Sequence, residues 1–180
     1  IIISKNMSNY KNYDTKKEIN GFYYLNKISL SKNKFYKDLA LLLPTSGSTG
    51  SPKFVRISYK NLYYNTKDIT NYLKVEPSDT TITTLPFSYT YGMSIINSHI
   101  FVPSKILAYN GTVIEKTFFD LIKKWKVNNF GGVPLIFEML QRLKLENFDL
   151  SSLKYITQAG GPLSKKLIKF FHFSLKKKKN

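Results

Sequence analysis

Apolar and polar positions change character near Asp38. Before it, residues 1–37 are polar and lysine-rich with no clear period, which predicts a poorly ordered lead-in holding one short strand at Phe22–Leu25. After it, short β-prone runs alternate with helical periodicity. Ala40–Leu43 reads as a buried strand and Phe54–Ile57 as a second, separated by a polar loop from Pro44 to Lys53. Ser58 is placed to cap a helix over Tyr59–Leu73, with Leu62, Ile69 and Leu73 near one face. Thr80–Leu85 is rich in β-branched residues, Gly92–His99 is helical, and Lys105–Ala108 is a strand closed by a turn at Asn110–Gly111. Phe118, Leu121, Ile122 and Trp125 recur at helical spacing, which puts Trp125 in the core. Phe130–Val133 is a strand, and Pro134 opens a helix striped by Ile136, Met139, Leu140 and Leu143. Leu153–Thr157 is a last strand before a basic helix from near Ser164, with Leu167 and Ile168 inward.

Strand and helix alternating in this way predict an α/β fold, a layered and largely parallel sheet with helices on both faces. The domain expected spans 38–165, with 166–180 as a basic C-terminal tail. Composition narrows the class further. The chain has 180 residues, 42% of them hydrophobic, enough for a core. With no cysteine, disulfide frameworks and thiolate chemistry are excluded. The longest apolar run, Leu39–Leu43, falls far short of the roughly 20 residues that cross a bilayer, so no membrane span is expected and the chain reads as cytoplasmic.

The formal net charge of +17 suggests a polyanion partner. The choice of cation argues against a specific nucleic-acid surface, because only Arg56 and Arg142 carry the guanidinium fork that base and phosphate recognition favours. Lys, Asn, Ile, Tyr and Phe are the residues of A/T-rich codons, so genome composition accounts for the bias. The run Lys176–Lys179 reads as a solvated terminus.

The chemistry-bearing segment is Thr45-Ser46-Gly47-Ser48-Thr49-Gly50-Ser51-Pro52-Lys53. Its glycines allow close backbone approach, the hydroxyls of Thr45, Ser46, Ser48 and Thr49 supply donors, and Lys53 brings a cation. Those are parts of a polyphosphate cradle. The glycine spacing is not that of a Walker A loop, and the chain continues as strand, so a helix dipole is not the main device. By composition alone a flexible Gly/Ser connection is the commoner reading of such a stretch.

Residues Pro44 to Lys53 resemble the phosphate-loop signature of the adenylate-forming (AMP-binding) superfamily, which includes acyl-CoA synthetases, firefly luciferase and the adenylation domains of peptide synthetases. Ser58-Tyr59-Lys60-Asn61-Leu62 resembles the opening of that family's next helix. Leu85-Pro86-Phe87-Ser88-Tyr89-Thr90-Tyr91-Gly92 resembles its aromatic motif, with Tyr89 where many members carry His. Gly131-Gly132-Val133-Pro134 and the stretch Leu153 to Leu163, containing Gly160 and Gly161, resemble two further family segments. The resemblance implies an ATP-dependent carboxylate-activating ligase. A carboxylate attacks the α-phosphate of ATP to give an acyl-adenylate and pyrophosphate, and a thiol such as CoA or a carrier protein then takes the acyl group. It implies that Thr45, Ser46, Gly47, Ser48, Thr49, Gly50 and Lys53 hold phosphates, that Gly160 and Gly161 lie along the nucleotide, and that Tyr89, Tyr91 and Gly92 border a small carboxylic acid substrate.

The sequence departs from the family after Gly161, where the motifs that hold adenine, Mg2+ and ribose are absent. The chain therefore reads as a fragment of the large N-terminal domain, either active or an inactive remnant that keeps nucleotide binding. Mg2+ is implied by the family alone. No residue is assigned a catalytic or metal-ligating role, since His99 and His172 lack ligand-spaced carboxylates and read as packing or surface residues. Glu115, Asp120, Glu138 and Glu146 read as solvated helix faces.

Overall fold

The computed structural model describes residues 2–4, 13–19, 22–27, 36–44 and 53–176. The chain divides into two compact units, Ile1–Lys37 and Asp38–Asn180. In the first, β1 (Ile2–Ser4), β2 (Tyr13–Ile19) and β3 (Phe22–Lys27) form an antiparallel sheet of order β1-β3-β2. The anticipated strand at Phe22–Leu25 falls within β3. The other two strands carry no apolar alternation that sequence could reveal.

The second unit opens with an antiparallel pair, β4 (Leu39–Pro44) and β5 (Phe54–Ser58), in which Pro44 lies opposite Phe54. The expected burial of Ala40–Leu43 is not found: Leu42 is exposed and Leu41 and Leu43 are half-buried. Among the described residues the strand pairs only with β5, outside the parallel sheet, so an apolar run here does not mean a central strand.

Helix α1 (Tyr59–Leu73) begins where the sequence placed it. Asn61 N donates to Ser58 Oγ and Ser58 N donates to Asn61 Oδ1, both at 3.0 Å, so cap and third residue satisfy one another. It ends at Leu73, as the spacing predicts, in a left-handed turn that the spacing does not specify. Lys74 takes a left-handed conformation (φ 52°) and Val75 N reaches back to Thr70 O at 3.1 Å, while Val75 itself is buried. Helix α3 (Lys116–Trp125) ends the same way, with Lys126 at φ 48° and Val127 N bonded to Ile122 O at 3.0 Å. In both turns the buried valine's apolar contact offsets the cost of a left-handed lysine, where glycine is usual.

The main sheet is parallel, of order β7-β6-β8-β9, built from β6 (Thr80–Thr83), β7 (Lys105–Ala108), β8 (Asn129–Gly132) and β9 (Tyr155–Gln158). Helices α2 (Thr90–Phe101), α4 (Pro134–Gln141) and α5 (Lys165–Lys176) complete the unit. The apolar core joins Phe118 and Ile122 of α3, Phe137 and Leu140 of α4, and Leu167 and Phe171 of α5 with Ile82 and Phe130 of the sheet. Strand side chains alternate faces. Phe130 and Ile156 pack with that core, whereas their neighbours Asn129, Tyr155 and Thr157 line a pocket beside α1 and α2.

Two inward assignments are corrected. Trp125 is 46% exposed, because it is the last residue of α3 and Val127, beyond the turn, is the fully buried residue there. Phe119 is the further buried aromatic of this helix, stacked on Phe148 with ring centroids 3.7 Å apart. Ile168 is exposed as well, since α5 buries Leu167 and Phe171, one turn apart. Among the described residues no helix is long and apolar enough to cross a membrane.

Candidate functional site

Parallel α/β sheets leave a crevice where the chain departs the carboxyl ends of the strands. Here Tyr89, ahead of α2, and Gly160, just past β9, meet at that end. Gly160 has φ +89°, and a β-carbon on it would stand 2.8 Å from the Tyr89 hydroxyl. Only glycine reaches this backbone conformation without strain. Gln158 Nε2 donates to Gly161 O at 2.6 Å, tying the turn back to its strand.

From there a pocket of about 650 Å³ runs between the sheet and helices α1 and α2. Tyr89 and Tyr91 line its outer part. The Tyr91 hydroxyl donates to Thr157 Oγ1 at 2.7 Å, crossing from α2 to β9. Burial pushes the Tyr91 phenol above its ordinary value, the hydrogen bond to Thr157 opposing in part. Gly131 makes this crossing possible: a β-carbon there would lie 2.6 Å from the Tyr91 hydroxyl and 2.8 Å from Ile95 Cδ1.

The inner end is polar. His99 is 2% exposed, and its Nδ1–H donates to Ile95 O at 2.7 Å. Since that carbonyl can only accept, Nε2 is the acceptor, and Asn129 Nδ2 donates to it at 3.3 Å. Burial holds the imidazole below its ordinary value, so it is neutral. Beside them Tyr155 Oη is buried with no hydrogen-bond partner among the described residues, and desolvation, assisted by the charge of Asp79, pushes its phenol up to about 12. Asp79 is itself buried but answered by Lys154 Nζ at 2.6 Å and by Glu76 N at 3.0 Å.

The sequence-assigned residues separate into three groups. Tyr89, Tyr91 and Gly160 come together at the pocket. Gly92 and Gly161 do not line it: a β-carbon on Gly92 would collide with the Pro86 carbonyl, and one on Gly161 would lie 3.2 Å from Pro134 Cγ, so both glycines serve close packing. Thr45, Ser46, Gly47, Ser48, Thr49 and Gly50 lie outside the described residues, while Lys53 is exposed next to β5. Sequence reasoning missed the inner polar end. The available signal was Ile95, Ser98 and His99 at i, i+3 and i+4, a partly polar stripe on the buried face of α2.

The profile of the family described as AMP-binding enzyme matches residues 5–178. The chain belongs to that family. Among curated relatives of this AMP-binding chain, luciferin 4-monooxygenase of Photuris pensylvanica is 31% identical over 141 residues, covering 75% of the chain and 26% of the relative. Probable 4-coumarate–CoA ligase 2 of Dictyostelium discoideum is 33% identical over 137 residues, covering 73% and 24%. The AMP-binding chain thus spans about a quarter of the length of these relatives. In fold it is similar to O-succinylbenzoate coenzyme A synthetase of Bacillus subtilis in complex with AMP, with a TM-score of 0.67 at 20% identity, covering 84% of this chain and 31% of that one.

Proposed function

We propose that this chain is part of an ATP-dependent carboxylate-activating ligase, forming an acyl-adenylate that passes its acyl group to a thiol such as CoA or a carrier protein. The observation that carries the reading is the pocket shared by Tyr89, Tyr91 and Gly160 at the carboxyl ends of a parallel sheet, in a chain of the AMP-binding family. ATP is a substrate in this reading. Residues 45–50 and Lys53 bring the hydroxyls, glycines and cation suited to its phosphates, and Gly160 leaves open the backbone approach that a side chain would fill.

The protein's contribution is positioning and charge stabilisation. Lys53 offsets charge on the phosphates. Tyr89 and Tyr91 hold the acid against the sheet and exclude water from its apolar part. Among the described residues no group of three or more His, Asp or Glu side chains gathers to hold a metal, so the Mg2+ implied by the family is assigned no ligand here. We further propose 38–165 as the partial nucleotide-binding domain, preceded by the 1–37 lead-in and followed by the basic 166–180 segment.

ATP–pyrophosphate exchange over a panel of carboxylic acids tests the reading. Exchange well above that of Lys53→Ala supports it. Its absence, with nucleotide binding retained, favours an inactive remnant, a second reading motivated by the quarter-length coverage of the relatives. Salt-sensitive nucleic-acid binding that ignores Lys53 would point away from both.

A further inference from the structure

The last acidic side chain of the sequence is Asp149; beyond it come Lys154, Lys165, Lys166, Lys169 and Lys176–Lys179 and no further Asp or Glu. A genome-wide taste for lysine raises the number of cations everywhere, but it does not strip one helix of every counter-charge. Helix α5 lies in this stretch. Its Leu167 and Phe171 are buried in the core, so Lys165, Lys169 and Phe173, at i, i+4 and i+8, run along the opposite side with Lys166 next to Phe173 on the helical wheel. The three lysines are exposed, and Phe173 is 60% exposed. Among the described residues Lys154 is paired with Glu76 and Asp79, whereas Lys165, Lys166 and Lys169 form no ion pair.

We propose that this outward face of α5 binds the surface of an anionic lipid bilayer, with Lys165, Lys166 and Lys169 meeting headgroup phosphates and Phe173 entering the boundary between headgroups and acyl chains. Two chemistries occur together on the face, and each selects the partner. Cations without counter-charge favour a negatively charged surface. A large aromatic side chain standing in water among them gains by leaving water, which the edge of a lipid layer offers and a phosphate backbone alone does not. Cation type agrees: flexible ammonium stems suit a fluid layer of headgroups, whereas fixed phosphate geometry favours guanidinium, and α5 has no arginine. Because Leu167 and Phe171 already fasten the helix to the core, the face is presented folded and binding needs no ordering of the helix. Attachment of this kind involves one leaflet and no membrane-crossing helix. It is independent of the acid site proposed above.

Co-sedimentation of the full chain with phosphatidylcholine vesicles, and with phosphatidylcholine vesicles containing phosphatidylglycerol, tests the assignment. The anionic vesicles are expected to bind about tenfold tighter or more, with the preference shrinking as salt is raised. The combined variant Lys165→Gln, Lys166→Gln, Lys169→Gln should lose most of that preference, and Phe173→Ser should bind about threefold more weakly, once circular dichroism shows each folded. A second combined variant, Lys60→Gln, Lys67→Gln, Lys105→Gln, makes the same change of charge on α1 and β7 and should lose less than about twofold. If the α5 triple variant does not fold, Lys169→Gln alone carries the test, with an expected loss of about threefold to fivefold. Equal binding to the two kinds of vesicle, binding to neither, equal losses from changes on α5 and elsewhere, or unchanged binding by Phe173→Ser overturns the inference. So does tighter binding to a DNA duplex at the same phosphate concentration, which would make α5 a general polyanion surface.

Discussion

The Tyr91 hydroxyl and Thr157 Oγ1, 66 positions apart in sequence, meet at 2.7 Å and fasten α2 to β9 across the pocket. Tyr91→Phe removes that fastening and leaves the Thr157 hydroxyl to find another partner. Loss of about 0.5–1.5 kcal/mol is expected in urea unfolding. An unchanged midpoint would show that the bond contributes nothing to stability.

The opposite sign is expected one turn of the pleat away. Tyr155→Phe deletes a buried hydroxyl that no group among the described residues satisfies, so the protein should gain stability, by about 1 kcal/mol. A lower melting temperature for the variant would mean that the hydroxyl has a partner in solution.

His99 should make stability depend on pH. Its folded value lies below the ordinary one because burial disfavours the imidazolium. Above about pH 6.5 neither folded nor unfolded chain holds the proton and its contribution is complete. As pH falls further, the unfolded chain binds a proton that the folded site resists, and stability declines until the folded value is passed. Urea midpoints measured from about pH 7.5 to 5 should fall more steeply for the native protein than for His99→Gln. Parallel slopes would exclude His99 as the source.

Lys154→Met should destabilise by about 1–2 kcal/mol, less than for a fully buried pair, because Lys154 is half-exposed and water can approach the carboxylate it leaves behind. Asp79, 1% exposed, keeps its bond from Glu76 N in the variant. The double variant Lys154→Met, Asp79→Asn should recover part of the loss, which denaturant unfolding would read directly.

Much of the second unit was legible in its sequence, because local signals and tertiary packing agree there. The Ser58 cap, the β7 strand and Pro134 at a helix start all lie where spacing and chemistry put them. Periodicity failed where position in the assembly outweighs it. Trp125 keeps the helical spacing but sits where the helix stops, and Leu42 belongs to an apolar run in a strand outside the main sheet. Of the site, Tyr89, Tyr91 and Gly160 were found through motif resemblance. Tyr155, Asn129 and His99 come from separate elements and carry no shared spacing, so only the folded sheet brings them together.

The alternation along β9 separates two tasks within four residues. Ile156 belongs to the core, and Tyr155 and Thr157 to the cavity. Tyr155 and Thr157 can therefore be varied to reshape the cavity while Ile156 holds the interior. A single inserted or deleted residue just ahead of the strand would exchange the two sets, spoiling the cavity wall and the core in one step.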